Sequence, residues 1–242
     1  MKNWFESWFD TKYYHILYKS RDYYEAEFFI KNLTNQLNLQ PSQKVLDLAC
    51  GKGRHSIFLN QLGFDVIGVD LSKASIDAAK KNENERLHFF THDMREPIKT
   101  CKFDAILNLF TSIGYFEDPE DNVRVLKSVH SYLNENGTLV IDFLNQHKVI
   151  NELIVKETKV IDGITFFLEK EVVNGYIEKT ISFEDDNKNF RFTEKVQALT
   201  LQDFKNYLGQ ANFEIINLAG DYNLQPFHEK DSSRLIIFAK KK

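Results

Sequence analysis

Short apolar runs and helical periodicities alternate along much of the chain. Residues 44–48 form a mainly apolar run, which is typical of a strand buried on both faces. Similar runs predict further strands over 64–70, 87–90, 103–109 and 137–143. Helical patterns separate them over 54–62, 73–82 and 118–133, and Ser72 is a candidate N-cap. This alternation predicts a parallel, doubly wound sheet.

The two ends of the chain extend this pattern. Helical spacing of apolar residues predicts a helix over 22–38, downstream of an aromatic cluster between Trp4 and Tyr18. Near the other end, the pattern predicts a helix over 202–211 and strands over 213–218 and 234–239. We therefore predict an α/β fold with a Rossmann-like, doubly wound, mostly parallel seven-stranded sheet.

A different pattern of apolar and polar residues begins after about Asn145 and lies between the two regions of alternating strands and helices. A helix is predicted to about Val155, and residues 164–173 and 176–184 then predict two strands joined at Asn174-Gly175. Asn-Gly is a strong signal for a tight hairpin turn. Residues 190–199 alternate between apolar and polar, so we predict a small antiparallel β insertion over about 156–199.

The composition is that of a globular protein with many aromatic residues. The 242 residues are 43% apolar and 27% charged, with 21 Phe, 10 Tyr and 2 Trp. The rings either fill the core or line a site, and composition alone favours the core. The net charge of −4 lacks the basic footprint of a nucleic-acid binder, so we expect no nucleic-acid partner.

Cysteine content and hydropathy bear on metal binding, secretion and membrane association. Cys50 and Cys101 are too few for a disulfide framework or a zinc site, so we expect no metal. We see no signal peptide, and no apolar run approaches the ~18 residues of a membrane span. We expect a cytoplasmic monomer or homodimer that does not associate with membranes.

A glycine-rich turn follows the first predicted strand, with the sequence Asp47-Leu48-Ala49-Cys50-Gly51-Lys52-Gly53. Such a turn lets the backbone approach a ligand closely and directs helix N-terminal N–H groups into the site. A lone Gly-x-Gly does not select a ligand. Cys50 is either a reactive thiol or, as we favour, a small residue in a tight turn.

Acidic residues end the neighbouring strands. Asp70 closes the second strand, where a carboxylate can accept both hydroxyls of a ribose. Asp93 and Met94 follow the third strand, where an acid and an apolar side chain can hold the amine and the face of an adenine. These positions point to a cofactor that contains a nucleoside.

The order of these motifs resembles the class I S-adenosylmethionine-dependent methyltransferases. Residues 45–53 resemble the first motif of that family, 69–72 the second and 91–94 the third, and 103–108 and 137–142 resemble its fourth and fifth strands. The resemblance spans about 43–145 and 201–242. The insertion resembles, more weakly, that of small-molecule methyltransferases such as amino-sugar N-methyltransferases, although a hairpin face could instead form an oligomer interface.

The resemblance implies S-adenosylmethionine as cofactor and assigns residues to it. Gly51 and Gly53 are expected beside the methionine part, Asp47 near its ammonium, Asp70 at the ribose, and Asp93 with Met94 around the adenine. The full expected cofactor set is Tyr18, Arg21, Asp47, Ala49, Gly51, Gly53, Asp70, Leu71, Asp93, Met94 and Asn108.

Tyr18 and Arg21 belong to this set through the N-terminal helix that covers the cofactor in many relatives. An arginine suits a bidentate grip on a carboxylate, and helix packing with a surface charge is the alternative. The resemblance thus divides the chain into an N-terminal helical lid (1–40), a cofactor-binding Rossmann-like domain (41–145 and 200–242) and the insertion (146–199).

The loop after the fourth strand is the candidate acceptor pocket. Loops at the carboxyl ends of parallel strands form the ligand crevice, and residues 110–116 are too apolar for a plain surface loop. We expect Phe110 and Tyr115 to line the pocket and Asp142, at the end of the fifth strand, to face it. A buried connecting loop is the alternative.

The expected activity is in-line transfer of a methyl group to a small-molecule acceptor. A nicotinamide-binding protein fits less well, because the third glycine of its fingerprint is replaced by Ser56. An RNA methyltransferase and a non-catalytic binding module remain alternatives, although residues 108–111 lack the motif of enzymes that methylate nucleic-acid amines. His15, His147, His228 and Asp142 are candidate bases, and the sequence assigns none of them.

Overall fold

The computed structural model describes residues 8–19, 23–99 and 101–242, and over these residues eleven strands form two sheets. The strands are β1 Lys44–Leu48, β2 Asp65–Asp70, β3 Leu87–Thr91, β4 Phe103–Asn108, β5 Leu133–Leu144, β6 Lys156–Ile161, β7 Ile164–Val173, β8 Tyr176–Asp185, β9 Lys188–Gln197, β10 Phe213–Ala219 and β11 Arg234–Lys241. The helices are α1 Lys12–Leu17, α2 Tyr23–Gln36, α3 Arg54–Gln61, α4 Lys73–Ala79, α5 Pro119–Tyr132, α6 Gln146–Asn151 and α7 Leu201–Gln210.

The larger sheet has the strand order β10-β11-β5-β4-β1-β2-β3. Only β11 runs against its neighbours, pairing antiparallel with both β5 and β10. The predicted Rossmann-like, mostly parallel seven-stranded sheet is therefore confirmed. The strand order reverses between β1 and β4, and ligands bind at such a switch point, outside the carboxyl ends of the strands.

Short-range signals explain where several helices begin. The Ser72 hydroxyl accepts from the Ser75 N–H at the start of α4, which confirms the predicted N-cap. Asp118 caps α5 directly before Pro119, whose missing N–H is not needed in a first turn. These caps set the helix starts near the carboxyl edge of the sheet.

Apolar side chains cover both faces of the larger sheet. On one face, Phe103, Val129 and Phe204 join β4 to α5 and α7 and are completely buried. On the other face, Phe29 of α2 and Phe89 of β3 are equally buried. Because both faces are covered, the strands form a rigid base for the loops at their ends.

The smaller sheet, with the order β6-β7-β8-β9, is the predicted antiparallel insertion. Asn174 and Gly175 turn between β7 and β8 with φ of 50° and 78°, as a tight hairpin turn requires. The sequence predicted three strands here, and the structure has four. The strand β6 was missed because it is a largely exposed edge strand with charged residues and no apolar face.

The N-terminal segment packs on the smaller sheet. Trp8, Tyr13 and Leu17 are buried against Phe166 and Phe183 of that sheet. In addition, the Tyr13 hydroxyl donates to Asp185 at 2.9 Å. The insertion and the N-terminal segment thus share one apolar cluster beside the larger sheet.

No helix within the described parts of the chain combines the length and the apolar character needed to cross a membrane.

Candidate functional site

The glycine-rich turn between β1 and α3 adopts left-handed backbone conformations at Ala49, Gly51 and Gly53, with φ of 67°, 56° and 82°. The Cys50 N–H donates to the Val69 carbonyl at 2.9 Å, which holds the turn against β2. A Cβ on Gly53 would lie 2.6 Å from the Phe89 ring, whereas one on Gly51 would meet no atom within 4 Å. Gly53 is therefore required for packing, and Gly51 leaves the turn open on its free side.

Asp70, at the end of β2, holds the turn in place. Its Oδ2 accepts from the Gly51 N–H and its Oδ1 from the Ser72 N–H, both at 2.8 Å. Burial raises the pKa of the Asp70 carboxyl, and the two backbone hydrogen bonds act in the opposite direction. Each carboxylate oxygen has a second lone pair, so the group can still accept from a diol.

Asp47 lies behind the turn and does not line the cavity in front of it. It is fully buried, and its Oδ2 accepts from the Ser56 hydroxyl at 2.6 Å. Burial raises the pKa of Asp47 to about 6, with the Ser56 hydrogen bond opposing the rise. Asp47 thereby joins β1 to the first turn of α3.

Asn108 ends β4 beside β1, at the switch point. Its Nδ2 donates to the Leu48 carbonyl at 3.0 Å. Its buried Oδ1 has no hydrogen-bond partner among the described residues. A buried unsatisfied acceptor is costly, and here it marks a place where a ligand donor would be stabilised.

A cavity of about 420 Å³ opens in front of the turn. It brings together most of the predicted site residues, namely Tyr18, Ala49, Gly51, Asp70, Leu71, Asp93, Met94, Phe110 and Tyr115. The predicted residues Asp47, Gly53, Asn108 and Asp142 are outside its lining, and Arg21 is outside the described residues.

Asp93 faces this cavity as part of an ion-pair network. The Arg95 Nη2 lies 2.6 Å from the Asp93 Oδ2, and the Arg95 Nη1 lies 2.8 Å from the Asp121 Oδ2. Partial burial raises the pKa of Asp93, but the hydrogen bonds from Arg95 outweigh it and hold the pKa below its ordinary value. Asp93 is therefore an ionised acceptor at neutral pH.

Asp142 does not face the cavity, contrary to the sequence-based expectation. Its carboxylate is completely buried and accepts from the Arg234 Nε at 2.7 Å and from the Phe110 N–H at 2.9 Å. The Tyr222 hydroxyl is 3.3 Å away. Since its oxygens are used by these donors, Asp142 supports the loop after β4 rather than a ligand.

That loop is held in an unfavourable conformation. Phe110 and Thr111 have φ of 63° and 61°, which costs free energy in residues with a Cβ. The Thr111 hydroxyl accepts from the Leu144 N–H and from Arg234, each at 3.0 Å. These contacts keep Phe110 at the cavity, where the Arg54 guanidinium lies 4.2 Å from the centre of its ring.

Six phenylalanine and tyrosine rings line the cavity, and we call them the aromatic wall: Phe9, Tyr14, Tyr18, Phe110, Tyr115 and Phe116. Sequence reasoning named Tyr18, Phe110 and Tyr115 individually and included Phe116 in the pocket loop of residues 110–116, but it assigned neither Phe9 nor Tyr14 to a site. The N-terminal aromatic cluster was visible in the sequence, but which of its rings face the cavity depends on docking against the smaller sheet.

Glu194 of β9 also lines the cavity and was missed, because one acid in an alternating strand gives no functional signal. Its Oε1 accepts from the Trp8 Nε1 and from the Tyr18 hydroxyl, both at 2.7 Å. The Lys179 Nζ lies 3.5 Å from its Oε2. Burial lowers the pKa of Lys179, and Glu194 opposes that shift.

The thiol of Cys50 is not activated for reaction. It is buried, and burial together with the nearby carboxylates of Asp47 and Asp70 raises its pKa. A thiol that stays protonated is a poor nucleophile. Cys50 thus acts as a small residue in the tight turn.

Comparison with known proteins identifies the family. A family model described as a methyltransferase domain matches residues 45–137. A glycine/sarcosine N-methyltransferase of Aphanothece halophytica is 30% identical over 234 residues, which are 93% of this chain and 85% of that protein. The chain belongs to the class I S-adenosylmethionine-dependent methyltransferases. The expected methyltransferase activity and the expected cofactor are thereby confirmed.

Two further similarities place the methyltransferase among its relatives. A dTDP-3-amino-3,4,6-trideoxy-alpha-D-glucopyranose N,N-dimethyltransferase of Streptomyces venezuelae is 29% identical over 51% of this chain and 52% of that protein. The crystal structure of a S-adenosylmethionine-dependent methyltransferase from Clostridium acetobutylicum matches with a TM-score of 0.79. That match covers 95% of this chain and 96% of the other at 22% identity, so it shows the shared fold.

The residues at the cavity fit S-adenosylmethionine. The turn is open at Gly51, and Asp70 retains free lone pairs for hydroxyl groups. Asn108, which is outside the cavity lining, has an unsatisfied buried acceptor. Aromatic faces attract a positively charged sulfonium. The cavity therefore offers groups that suit the ribose hydroxyls and the sulfonium of this cofactor.

Proposed function

We propose that the methyltransferase transfers the methyl group of S-adenosylmethionine to the nitrogen of a small-molecule amine. The observation that carries the proposal is the aromatic wall and the Glu194 carboxylate, which line the same cavity as the glycine-rich turn. Two relatives named above are N-methyltransferases, of glycine or sarcosine and of an amino sugar, and they support the same acceptor atom.

Charge development explains why such a wall suits an amine. The cofactor supplies a methyl group on a sulfonium, which is a good leaving group. A neutral amine becomes positively charged as the new bond forms. Ring faces and a carboxylate near that position stabilise the developing charge more than the neutral reactant, which lowers the barrier.

We assign the cofactor contacts as follows. Asp70 holds the ribose hydroxyls, Asp93 and Met94 lie at the adenine, and Gly51 lies at the methionine part. Ala49 and Leu71 complete that surface, and Tyr18 and Arg21 lie at the methionine end. Asp47, Gly53 and Asn108 shape the turn from behind, with the Asn108 Oδ1 available to an ammonium group. Support comes from the nine predicted residues that line one cavity.

A strong general base is not part of the proposal. A neutral amine needs none in the transfer step, in contrast to a hydroxyl. Asp142 is used by Arg234, and neither His147 nor His228 is in the cavity lining, whereas His15 is. The chain then contributes mainly by aligning the acceptor and excluding water, and positioning alone can supply ~7–11 kcal/mol.

The N-terminal residues 1–40 act in this proposal as a lid over the Rossmann-like domain of residues 41–145 and 200–242. Trp8 and Tyr18 reach Glu194 of the 146–199 insertion, and the Ser72 hydroxyl donates to Asp10. One segment therefore contacts both the insertion and the cofactor edge, as a lid requires. RNA methylation ranks second, because the net charge of −4 lacks the basic footprint of a nucleic-acid binder.

Two measurements test the proposal. Calorimetry is expected to detect S-adenosylmethionine binding, and S-adenosylhomocysteine is expected to form with glycine, sarcosine or an amino sugar as acceptor. Replacing Tyr115 by Ala is expected to raise the KM of the acceptor while leaving cofactor affinity nearly unchanged, with the exposed Tyr24→Ala as a matched control. Cofactor binding without turnover of any amine would instead favour a non-catalytic module.

A further inference from the structure

A second cavity of about 380 Å³ lies between the smaller sheet, α6 and the loop after β4. Tyr115 and Glu194 line both cavities, so these two side chains form the boundary between them. A volume in this range accommodates a small molecule rather than a single ion. The second cavity is therefore placed to hold the part of an acceptor that is remote from the reacting atom.

Three lysines from three elements line this second cavity, namely Lys148 of α6, Lys170 of β7 and Lys179 of β8. Their side chains are 33%, 28% and 16% exposed. The lining also includes Glu194, which already accepts from Trp8 and Tyr18, and Glu152, which is 68% exposed at the rim. Positive charge thus predominates in the less exposed part of this cavity.

The register of the smaller sheet brings two of these lysines together. Lys170 and Lys179 are directly opposite each other in the antiparallel β7–β8 pair. Like charges at such positions repel and destabilise a sheet. Lys179 is also opposite Glu194 in the β8–β9 pair, with its Nζ 3.5 Å from the Glu194 Oε2, and it donates to the Tyr18 hydroxyl. Lys170 is less well compensated, because its Nζ lies 3.9 Å from the Glu157 carboxylate.

Apolar residues occupy the neighbouring positions on the same face of the smaller sheet, so packing on this face does not require lysines. Leu168 and Ile181 form the neighbouring cross-strand pair, and they are buried under the N-terminal segment. Lys170 and Lys179 continue that face from the N-terminal segment, where Lys179 donates to the Tyr18 hydroxyl, into the lining of the second cavity. The change from apolar to cationic residues coincides with the change from packed core to open cavity.

We propose that the second cavity binds an anionic group of the methyl acceptor through Lys148, Lys170 and Lys179. The acceptor is then a small amine that also carries a carboxylate or a phosphate. This inference rests on the proposed N-methylation. It adds that Tyr115 and Glu194 separate the anchored anion from the reacting nitrogen.

The test uses NMR of the methyltransferase loaded with S-adenosylhomocysteine, with labelled isoleucine methyl groups. Ile177 lines the second cavity and reports on it, whereas Ile141 in the main core is the internal reference. Glycine probes a carboxylate source and inorganic pyrophosphate a phosphate source. Ethanolamine retains the amine without an anion. We expect the Ile177 signal to move with at least one anionic probe and not with ethanolamine.

Two variants test whether the response of the Ile177 signal depends on the lysines of the second cavity. Lys170→Met is expected to abolish the Ile177 response without lowering the melting temperature, because it removes a repulsion. The exposed Lys188→Met, at the β8–β9 turn, is expected to respond like the wild type. For an anionic amine substrate, Lys170→Met is expected to raise KM at least about tenfold and to change kcat much less.

Other outcomes would contradict the anion site, the proposed N-methylation or both. No Ile177 movement with either anion, or movement that persists in Lys170→Met, would overturn the inference. Methylation of neutral amines without an Ile177 response would leave the proposed N-methylation standing and remove only the anion site. An Ile177 response in an enzyme that methylates no amine would instead support the anion site and contradict the N-methylation.

Discussion

The glycine-rich turn and the aromatic wall line the same cavity but are built in opposite ways. The turn is held by contacts close in sequence, such as Ser56 to Asp47 over 9 residues and Gly51 to Asp70 over 19. The wall depends on contacts between distant residues, such as Tyr18 to Glu194 over 176 residues. The turn is therefore encoded locally, whereas the aromatic wall is assembled by the fold.

This difference teaches where variation is tolerated. The turn needs particular backbone angles and one missing side chain, so most substitutions there disturb both the fold and the cofactor site. The wall consists of side chains carried by an insertion and a terminal segment, which can change without altering the larger sheet. Substitutions in the two regions are expected to separate stability and cofactor binding from acceptor turnover.

The largest effect is expected for Gly53→Ala. The added Cβ meets the Phe89 ring at 2.6 Å and the backbone has a φ of 82°. Overpacking and left-handed strain together predict a loss of ~2–5 kcal/mol in the free energy of unfolding, measured with urea. Gly51→Ala, whose Cβ meets no atom within 4 Å, is expected to lose only ~1–2 kcal/mol. Equal losses would contradict the packing role of Gly53.

The next largest effect is expected in the pH dependence of the unfolding free energy, through the carboxyl group of Asp47. Burial raises its pKa to about 6 on folding, from an ordinary value of 3.8. Its contribution to stability is then complete below about pH 4 and is lost as the pH rises through about 6. Relative to Asp47→Asn, the wild type is expected to lose about 2 kcal/mol of unfolding free energy between pH 4 and pH 8.

Urea unfolding at several pH values measures this difference. The exposed Asp77→Asn is the matched control, and its difference from the wild type is expected to change little with pH. A wild-type curve parallel to that of Asp47→Asn would show that Asp47 ionises in the folded chain at its ordinary pKa.

A smaller effect is expected for Asp70→Ala, which tests the cofactor edge directly. Loss of hydrogen bonds to a charged group is expected to weaken S-adenosylmethionine binding by roughly 1–3 kcal/mol, measured by calorimetry. Asp70→Asn keeps one oxygen acceptor and is expected to fall between Asp70→Ala and the wild type. Asp77→Ala serves as the control, and unchanged affinity in Asp70→Ala would refute the ribose assignment.

The smallest effect is expected for Glu194→Gln, which tests the carboxylate beside the aromatic wall. Removing this partly exposed charge is expected to cost about 1 kcal/mol of transition-state stabilisation for an amine, which lowers kcat/KM about fivefold. Cofactor affinity is expected to be unchanged. Glu178→Gln removes a comparable Glu–Lys pair elsewhere in the same sheet and is expected to change neither quantity. An equal loss in both variants would place Glu194 in the structural support of the sheet only.

The sequence by itself determined the order of strands and helices, the seven-stranded sheet, the turn at Gly51, the cap at Ser72 and the hairpin at Asn174. Each of these follows from periodicity or from the conformational preference of a few neighbouring residues, so a local pattern is sufficient.

Only the tertiary structure decided that Asp142 binds Arg234 instead of facing the cavity, that β6 completes the smaller sheet, and that Glu194 meets Trp8. Asp142 and Arg234 are 92 residues apart in the chain. The local sequence around a polar side chain shows that it needs a partner when buried, but packing of the whole chain decides which partner it finds.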